Sequence, residues 1–450
     1  MMSGQALDGL RVIDLSYSYA GPYLTKLLAD MGAEVIKIEA CQRPELTRPL
    51  ILAENDPKDE YWNRAGYFNK GHRNKCAITL DLNNDRAKDI FKDLVKIADV
   101  VVEAYSPRVM FNFGLDYPVL KELKPDIIML SLSGYGQTGP YRDYASFGTV
   151  MESMSGITEL TGYPDGPPMK SGISYCDPIV GIIGAGLVLA ALHYRRKTGK
   201  GQHIDLSMHE AGISLIGEVL MDFTMNRRVS SRTGNRHPSM APHGCYRCRG
   251  EDVWITIAIS SDQEWEKFCE AIGNPSWTKE ERFTTTLGRW QNQEELNRLI
   301  EACTSQHDHY EAMHILQGIG VIAGPVLTNK ELLFDPHLKE RGFFEVVDHP
   351  SVGKRPYAGM AFKLSKTPGR IRTPAPLLGE HNQRILKEYL GLSKEEISKL
   401  EEENVIGSAP IIEYPIELVM QLIVSPLDLL EKLGAVVRVD PDYLEQLGLK

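Results

Sequence analysis

Cysteine is scarce: seven residues in 450, an odd number. That count excludes a disulfide framework and fits a reducing compartment, so a cytoplasmic location is expected. One Cys-x-x-Cys occurs, Cys245 and Cys248, with no second pair and no thioredoxin-like context. No metal and no permanently bound cofactor are therefore expected, and His237 and His243 nearby read as turn or surface residues. Positive charge is in deficit: 50 Lys and Arg face 60 Asp and Glu, for a formal net charge of −10. This argues against nucleic-acid binding, and an anionic ligand would have to be met by local basic residues. Long apolar runs are missing too. The best stretch, Ile179 to Leu192, is glycine-rich and short of the roughly 18 residues of a membrane span. The start, MMSGQALDGLRVIDLS, lacks a basic region followed by an apolar one, so no signal peptide is expected. There are no internal repeats or low-complexity tracts.

The rest is ordinary for a soluble enzyme, with 42% hydrophobic and 24% charged residues, and the length suits two domains. Leu10 to Ser16 reads as a buried strand. A helix opens at Gly21-Pro22 with Leu24, Leu27, Leu28 and Met31 on one face, and Glu34 to Glu39 makes a second strand. This is a βαβ start to a parallel sheet. Glu39 at the end of strand two would suit a dinucleotide fold. However, the first turn, Ser16 to Pro22, has no Gly-x-Gly-x-x-Gly, and its proline stands where backbone should approach a pyrophosphate. Cys41 to Gly66 reads as a long surface loop. His72, Arg73 and Lys75 form a basic cluster before the strand Cys76 to Leu82, either a solvated cluster or a phosphate contact. Asp85 to Ile97 and Tyr117 to Leu123 have helical spacing, and Asp99 to Glu103 and Asp126 to Leu132 read as strands. The glycine-rich loop Ser133 to Pro140 follows. Further on, Cys245 to Ile259 reads as a hairpin, with helices near 263–271, 294–302 and 309–317 and a strand at 321–327. The domains expected are 1–226 with 336–405, 227–335, and a C-terminal extension, 406–450, made apolar by Leu418, Met420, Leu422, Ile423, Leu429 and Leu430.

The chain centres on Ser171 to Met208. Asp177 precedes Pro178, and Asp is a strong N-cap while Pro is favoured at the first helical position. A helix is therefore expected from Pro178. It is apolar nearly all round, so it should be buried, and it ends in His193, Arg195, Arg196 and Lys197 before Gly199 and Gly201. Asp177 reads either as a cap and nothing more, or as a carboxylate kept ionised by the helix N-terminus and able to attack an electrophile.

Six segments occur in order: LRVIDLS with AGP and GAEVIKIE, then HRNKCAITLDL, ADVVVEAYSP, SGYGQTGP, the Asp177 stretch ending KTGKGQHIDLSM, and APLLGEHN at Ala375 to Asn382. Together they resemble the class III coenzyme A transferases, the family of formyl-CoA transferase and carnitine CoA-transferase, over roughly residues 7 to 405. The resemblance implies a Rossmann-like α/β large domain with a parallel sheet, a smaller α/β domain, and two chains interlocked as a homodimer. It implies Asp177 as nucleophile and places CoA-contacting positions near Leu80, at Ala104 and Tyr105, and at Phe147. Arg73 and Lys75 are further candidates for CoA. Some departures stand out. Ala40 occupies a position where some members carry a basic residue, leaving Arg43 as the nearest substitute. Asn often stands where Ala104 is. The glutamine found near Tyr19 and the glycine flap of formyl-CoA transferases are absent, so formyl-CoA and oxalate do not carry over.

The reaction implied moves CoA from an acyl-CoA to a free carboxylic acid through aspartyl anhydride and aspartyl-CoA thioester intermediates. Acyl-CoA and carboxylic acid are then the small-molecule partners. Backbone N–H groups of Ser133 to Pro140 would stabilise oxyanions. Two rivals are weighed. An α-methylacyl-CoA racemase shares the fold, but its proton-transferring His would align with Phe147, which transfers no proton. A non-catalytic partner subunit of a heteromeric transferase would explain the missing Asn and basic residue.

Overall fold

The computed structural model describes residues 4–411 and 427–449. The chain divides into two units. The first comprises Met1–Ile157, Ser171–Gly217 and Gly342–Lys450, and the second Thr158–Lys170 and Glu218–Arg341. The second unit thus begins earlier than residue 227, ends later than 335 and takes in a detached segment that was expected in the first. Leu418, Met420, Leu422 and Ile423 of the expected apolar tail lie outside the described residues.

The first unit is built on six parallel strands in the order β3-β2-β1-β4-β5-β6. They are β1 (Arg11–Leu15), β2 (Glu34–Glu39), β3 (Lys75–Thr79), β4 (Val100–Glu103), β5 (Ile128–Ser133) and β6 (His203–Ser207). Between them run α1 (Ala20–Asp30), α2 (Gly66–His72), α3 (Asp85–Ile97), α4 (Arg108–Phe113), α5 (Tyr117–Leu123), α6 (Gly148–Met154), α7 (Ile157–Leu160) and α8 (Cys176–Thr198). The central strands are apolar on both faces, as a covered parallel sheet requires. Along β1, Val12 joins Leu24, Leu28, Val180 and Val188 of α1 and α8, while Ile13 and Leu15 join Phe91 and Leu94 of α3. The order reverses between β1 and β4. In open α/β sheets that switch point opens a crevice outside the carboxyl ends of the strands.

Helix α8 approaches α1 closely. A Cβ on Gly181 would lie 2.9 Å from the Ala20 carbonyl oxygen, and one on Gly184 2.3 Å from a Leu24 methyl. The glycines therefore set the spacing of the two helices. Two expectations for α8 need correction. The helix is 23 residues long, and by length and composition it is apolar enough to cross a membrane. It is also buried on one side only. Val180, Gly181, Gly184, Ala185, Val188 and Ala191 face the core, whereas Ile182, Leu187 and Leu189 are exposed.

The segment 41–66 is more than a surface loop. It buries Glu45, Thr47, Arg48, Tyr61, Asn63 and Arg64. Arg48 grips Glu39 with two nitrogens, at 2.8 and 2.7 Å, and donates to the Trp62 carbonyl at 2.9 Å. The edge strand β3 is covered by the returning chain. Asn382 accepts from the Thr79 N–H at 2.8 Å, and His381 Nδ1 accepts from the Ala77 N–H at 3.2 Å. This capping blunts an edge that would otherwise invite pairing.

The second unit carries an antiparallel sheet β7-β8-β9, with β7 (His243–Arg247), β8 (Trp254–Ala258) and β9 (Ile322–Pro325). Helices at Asp262–Ala271, Gln293–Thr304 and His309–Gly318 pack Trp265, Phe268, Leu296, Ile300 and Leu316 into its own core. Strands β10 (Phe344–His349) and β11 (Gly353–Ala358) form a separate antiparallel pair in the first unit.

Arg73 and Lys75 stand in this scaffold and not in a ligand site. The Arg73 guanidinium pairs with Asp30 at 2.8 Å and donates to the Ala358 carbonyl. Lys75 pairs with Asp14 at 2.9 Å and donates to Thr25 Oγ1 at 2.8 Å. Both side chains are buried. A buried charge left without its partner is costly, so Arg73→Ala is expected to destabilise the fold by about 3–5 kcal/mol. Denaturant unfolding checks this, and the Michaelis constant for acyl-CoA of the protein that remains folded should be unchanged.

Candidate active site

The crevice at the switch point is a cavity of about 390 Å³. Its lining includes Leu15 and Tyr17 after β1, Ala40 and Arg43 after β2, Leu80 after β3, and Ala104 and Tyr105 after β4. Three positions drawn from the family resemblance, Leu80, Ala104 and Tyr105, thus converge here, and so does Arg43. Arg73, Lys75, Asp177 and Phe147 are not in this lining.

The turn after β1 is held from beneath. Asp14 is fully buried and accepts from the Ser16 N–H at 2.9 Å and from Thr25 Oγ1 at 2.7 Å. Burial alone would raise its pKa, but the ammoniums of Lys75 and Lys37 outweigh that and hold it below the usual carboxylate value. Lys37 donates to the Ser16 carbonyl and lies 3.6 Å from Glu45. Glu45 in turn accepts from the Ser18 N–H at 2.8 Å. Ser18 has a φ of 69°, a left-handed conformation that these bonds impose on a residue with a Cβ. Above the turn, the Tyr17 and Tyr105 rings lie 5.6 Å apart, between centroids.

Asp177 lies at the other end of the same turn's reach. It is only 8% exposed. The sequence reading made it the N-cap, but α8 begins at Cys176 and the cap position belongs to Tyr175. Asp177 is therefore inside the first helical turn, where its N–H donates to the Ser174 carbonyl at 3.2 Å. Pro178 follows within that turn, where no N–H is needed. Gly148, the first residue of α6, packs directly on the carboxylate: a Cβ there would lie 1.7 Å from Asp177 Oδ2. Any side chain at 148 would displace the carboxylate. The Ser174 hydroxyl and the Glu152 charge also act on Asp177. Glu152, fully buried, accepts from Ser171 Oγ and from the Tyr175 N–H, both at 2.6 Å, and so fixes the strand of chain that delivers Asp177.

Burial, offset by the Ser174 hydrogen bond and reinforced by Glu152, raises the Asp177 pKa from 3.8 to about 6. The group is still about 90% ionised at pH 7. Phe147 immediately precedes Gly148 and is 66% exposed, so an aromatic ring stands where a racemase would need a histidine. In the glycine-rich loop, the Gln137 N–H is already donated to Asp205 at 2.9 Å. The glycine that meets Asp177 is Gly148, which the sequence reading missed for want of any motif around it. Tyr67 and Lys70, on α2, were missed as well, and Glu152 with them. Tyr19 and Tyr67 both feel the Asp177 charge.

No group of three or more His, Cys, Asp or Glu side chains suited to a metal occurs among the described residues. Burial pushes the Cys248 thiol up to about 11, the opposite of a reactive thiolate. His243 Nδ1 lies 2.7 Å from the Asn235 carbonyl oxygen, within its own loop.

Residues 7–382 match the model of CoA-transferase family III. The chain is a member of that family. It is 35% identical to the succinyl-CoA–D-citramalate CoA-transferase of Chloroflexus aurantiacus, over 89% of this chain and 98% of the relative. It is 31% identical to the succinate–glutarate CoA-transferase of Agrobacterium fabrum, over 85% and 95%. Among solved structures, a CAIB/BAIF family protein from Brucella suis superposes with a TM-score of 0.78 at 32% identity, covering 86% of this chain and all of that one. Rv3272 from M. tuberculosis superposes at 0.71 and 28% identity, covering 85% and 99%. This family III CoA-transferase is an enzyme that transfers CoA, and its relatives transfer CoA to carboxylic acids.

The raised pKa of Asp177 has a consequence for stability. Ionising this carboxyl is harder in the folded chain than in the unfolded one. Its contribution to stability is therefore fully present below about pH 4 and is lost as pH rises through about 6. Asp177→Asn cannot titrate. Relative to the unsubstituted enzyme, its stability is expected to rise between pH 4 and pH 7 by up to about 3 kcal/mol, the value of the shift. Urea unfolding of both proteins across that range measures it.

Proposed function

We propose that this transferase moves CoA from succinyl-CoA, the donor named for several relatives, to a second carboxylic acid, with Asp177 as the covalent nucleophile. The observation that carries the reading is the burial of Asp177 in the first turn of α8, pressed against Gly148, with a carboxyl that remains largely ionised at neutral pH. A carboxylate is a weak nucleophile in water. Desolvation and fixed placement against a thioester carbonyl are what would make it effective.

The steps balance without ATP or metal. Asp177 attacks the donor thioester carbonyl, the C–S bond breaks, and a mixed anhydride and CoA thiolate form. The thiolate attacks the aspartyl carbonyl of the anhydride, releasing the donor carboxylate and leaving an aspartyl-CoA thioester. The acceptor carboxylate attacks that thioester, giving a new anhydride and thiolate. The thiolate then attacks the acceptor's acyl carbon, and Asp177 is regenerated as a carboxylate. The cavity lined by Leu80, Ala104 and Tyr105 is the place for the CoA nucleotide, with Arg43 as its cation. Phe147 speaks against the racemase reading, because a phenyl ring carries no exchangeable proton.

The exposed apolar face of α8, together with exposed Phe147, Val150 and Met154, supports a homodimer, since contiguous apolar surface of this kind is normally covered. Light scattering is expected to give twice the 50.4 kDa of one chain. A monomer at micromolar concentration would count against it.

For the chemistry, incubation with succinyl-CoA and no acceptor is expected to leave an aspartyl-CoA adduct on the peptide containing SYCDPIVG, read by mass spectrometry. Hydroxylamine should convert it to a hydroxamate. Asp177→Asn should lower turnover on the order of a thousandfold or more, because an amide does not attack the thioester. An adduct on another residue, or full activity in Asp177→Asn, would remove Asp177 from the mechanism.

A further inference from the structure

Lys70 projects from α2 over two tyrosine rings. Its ammonium nitrogen lies 4.3 Å from the centroid of Tyr19 and 5.1 Å from that of Tyr67. The two rings meet at 70° with centroids 5.8 Å apart, so they form a cage open on one side. Among the described residues no carboxylate pairs with Lys70. In a chain with 60 acidic residues, that is a deliberate arrangement in physical terms: aromatic faces steady the charge without neutralising it. Lys70 is an exposed residue, and the partial burial of its ammonium lowers its pKa.

Tyr19 is the cap residue of α1, and α1 packs on the first turns of α8: a Cβ on Gly181 would lie 2.9 Å from the Ala20 carbonyl oxygen and 3.0 Å from the Tyr23 ring. The Asp177 charge, at the start of α8, acts on both Tyr19 and Tyr67. A third ring, Tyr23, continues the wall at 5.6 Å from Tyr19. A molecule reaching from Asp177 to Lys70 therefore passes along aromatic surface and ends at a cation. Its reacting end is an acyl carbon, its middle is apolar, and its far end is an anion. That is the shape of a short dicarboxylic acid with one carboxyl carried as the thioester.

We propose that Lys70, held on Tyr19 and Tyr67, receives the distal carboxylate of a dicarboxylic acyl group and so selects dicarboxylic over monocarboxylic substrates. This rests on the CoA-transfer reading of the same site. Lys70 is a specificity residue in that scheme: it touches the substrate but takes no part in bond making. A site that holds a charged group by a charge-assisted hydrogen bond discriminates against an analogue lacking that group.

The test compares two exchange reactions that need no knowledge of the acceptor: labelled succinate into succinyl-CoA, and labelled butyrate into butyryl-CoA. The two acyl groups differ chiefly in the distal carboxylate. The unsubstituted enzyme is expected to favour the succinyl pair in kcat/KM by about 10- to 100-fold. Lys70→Met should bring the ratio to within about threefold of one, by lowering the succinyl rate and leaving the butyryl rate alone. Lys70→Arg, which keeps the cation, should retain most of the preference. The butyryl rate also serves as the check that the variant is folded.

The proposal is overturned if Lys70→Met keeps the preference. It is overturned too if both rates fall through a common rise in KM, since Lys70 would then contact CoA itself. If the unsubstituted enzyme exchanges both pairs equally, CoA transfer stands and the role of Lys70 falls. If it exchanges neither, while remaining folded by circular dichroism, the CoA-transfer reading falls first and Lys70 with it.

Discussion

The active end of the sheet depends on buried charge that is paired beneath it. Asp14 and Lys75, 2.9 Å apart and without solvent, anchor a chain of contacts that runs through Lys37 and Glu45 to the backbone of Ser16 and Ser18. Each ion taken from water costs several kcal/mol, so such a cluster is tolerable only if its lone pairs and protons are met. Here they are met largely by backbone of the β1–α1 turn. The turn cannot relax without stranding a charge. This is why a left-handed Ser18 persists, and why Tyr17 and Tyr19 are presented in fixed directions, one toward the cavity at the switch point and one toward Asp177. Glu39 and Arg48 extend the same logic to the segment that follows β2 and brings Arg43 to the cavity wall.

At Asp177 two opposing effects meet. The start of a helix favours an ionised carboxylate, whereas burial favours the neutral acid. Burial gains the upper hand, and Ser174 moderates it, so the carboxyl titrates at about 6. The compromise suits a nucleophile. A fully solvated carboxylate would be ionised but unreactive, and a fully buried one would be protonated at neutral pH. Gly148 completes the arrangement by letting backbone come so near that no other residue type fits.

Much of the fold was legible in the sequence because both faces of a parallel sheet are covered, and continuous apolar runs betray it. Glu34–Glu39, Asp85–Ile97 and Tyr117–Leu123 lie where their sequence pattern placed them. The Cys245 hairpin was legible from its turn residues. The site was legible only where motif and chemistry coincide, as at Asp177. Capping preference misplaced the helix start by two residues, because Tyr175 already has helical backbone angles and the helix starts sooner. The segment 41–66 misled for another reason. Its polar residues looked solvated, yet Glu45, Arg48 and Arg64 are buried because each finds a partner in another element or loop: Ser18 for Glu45, Glu39 of β2 for Arg48 and Ser351 for Arg64. Composition cannot reveal a pairing of that kind.

The basic segment around α2 and β3 shows the same limit most sharply. Arg73 and Lys75 read in the sequence as cations before a strand, and Lys70 just upstream carried no signal of its own. In the fold they divide by direction. Arg73 and Lys75 turn inward and are consumed by Asp30 and Asp14, while Lys70 turns outward onto Tyr19 and Tyr67. A net negative chain spends its buried cations on its buried acids. Lys70 and Arg43 are thus left facing ligand space, and among the described residues neither is paired with a carboxylate. They lie at different places, Arg43 in the wall of the switch-point cavity and Lys70 beyond the tyrosines that sense Asp177. Two separated cations suit a substrate that is anionic at both ends, which is the charge pattern of a dicarboxylic acyl-CoA.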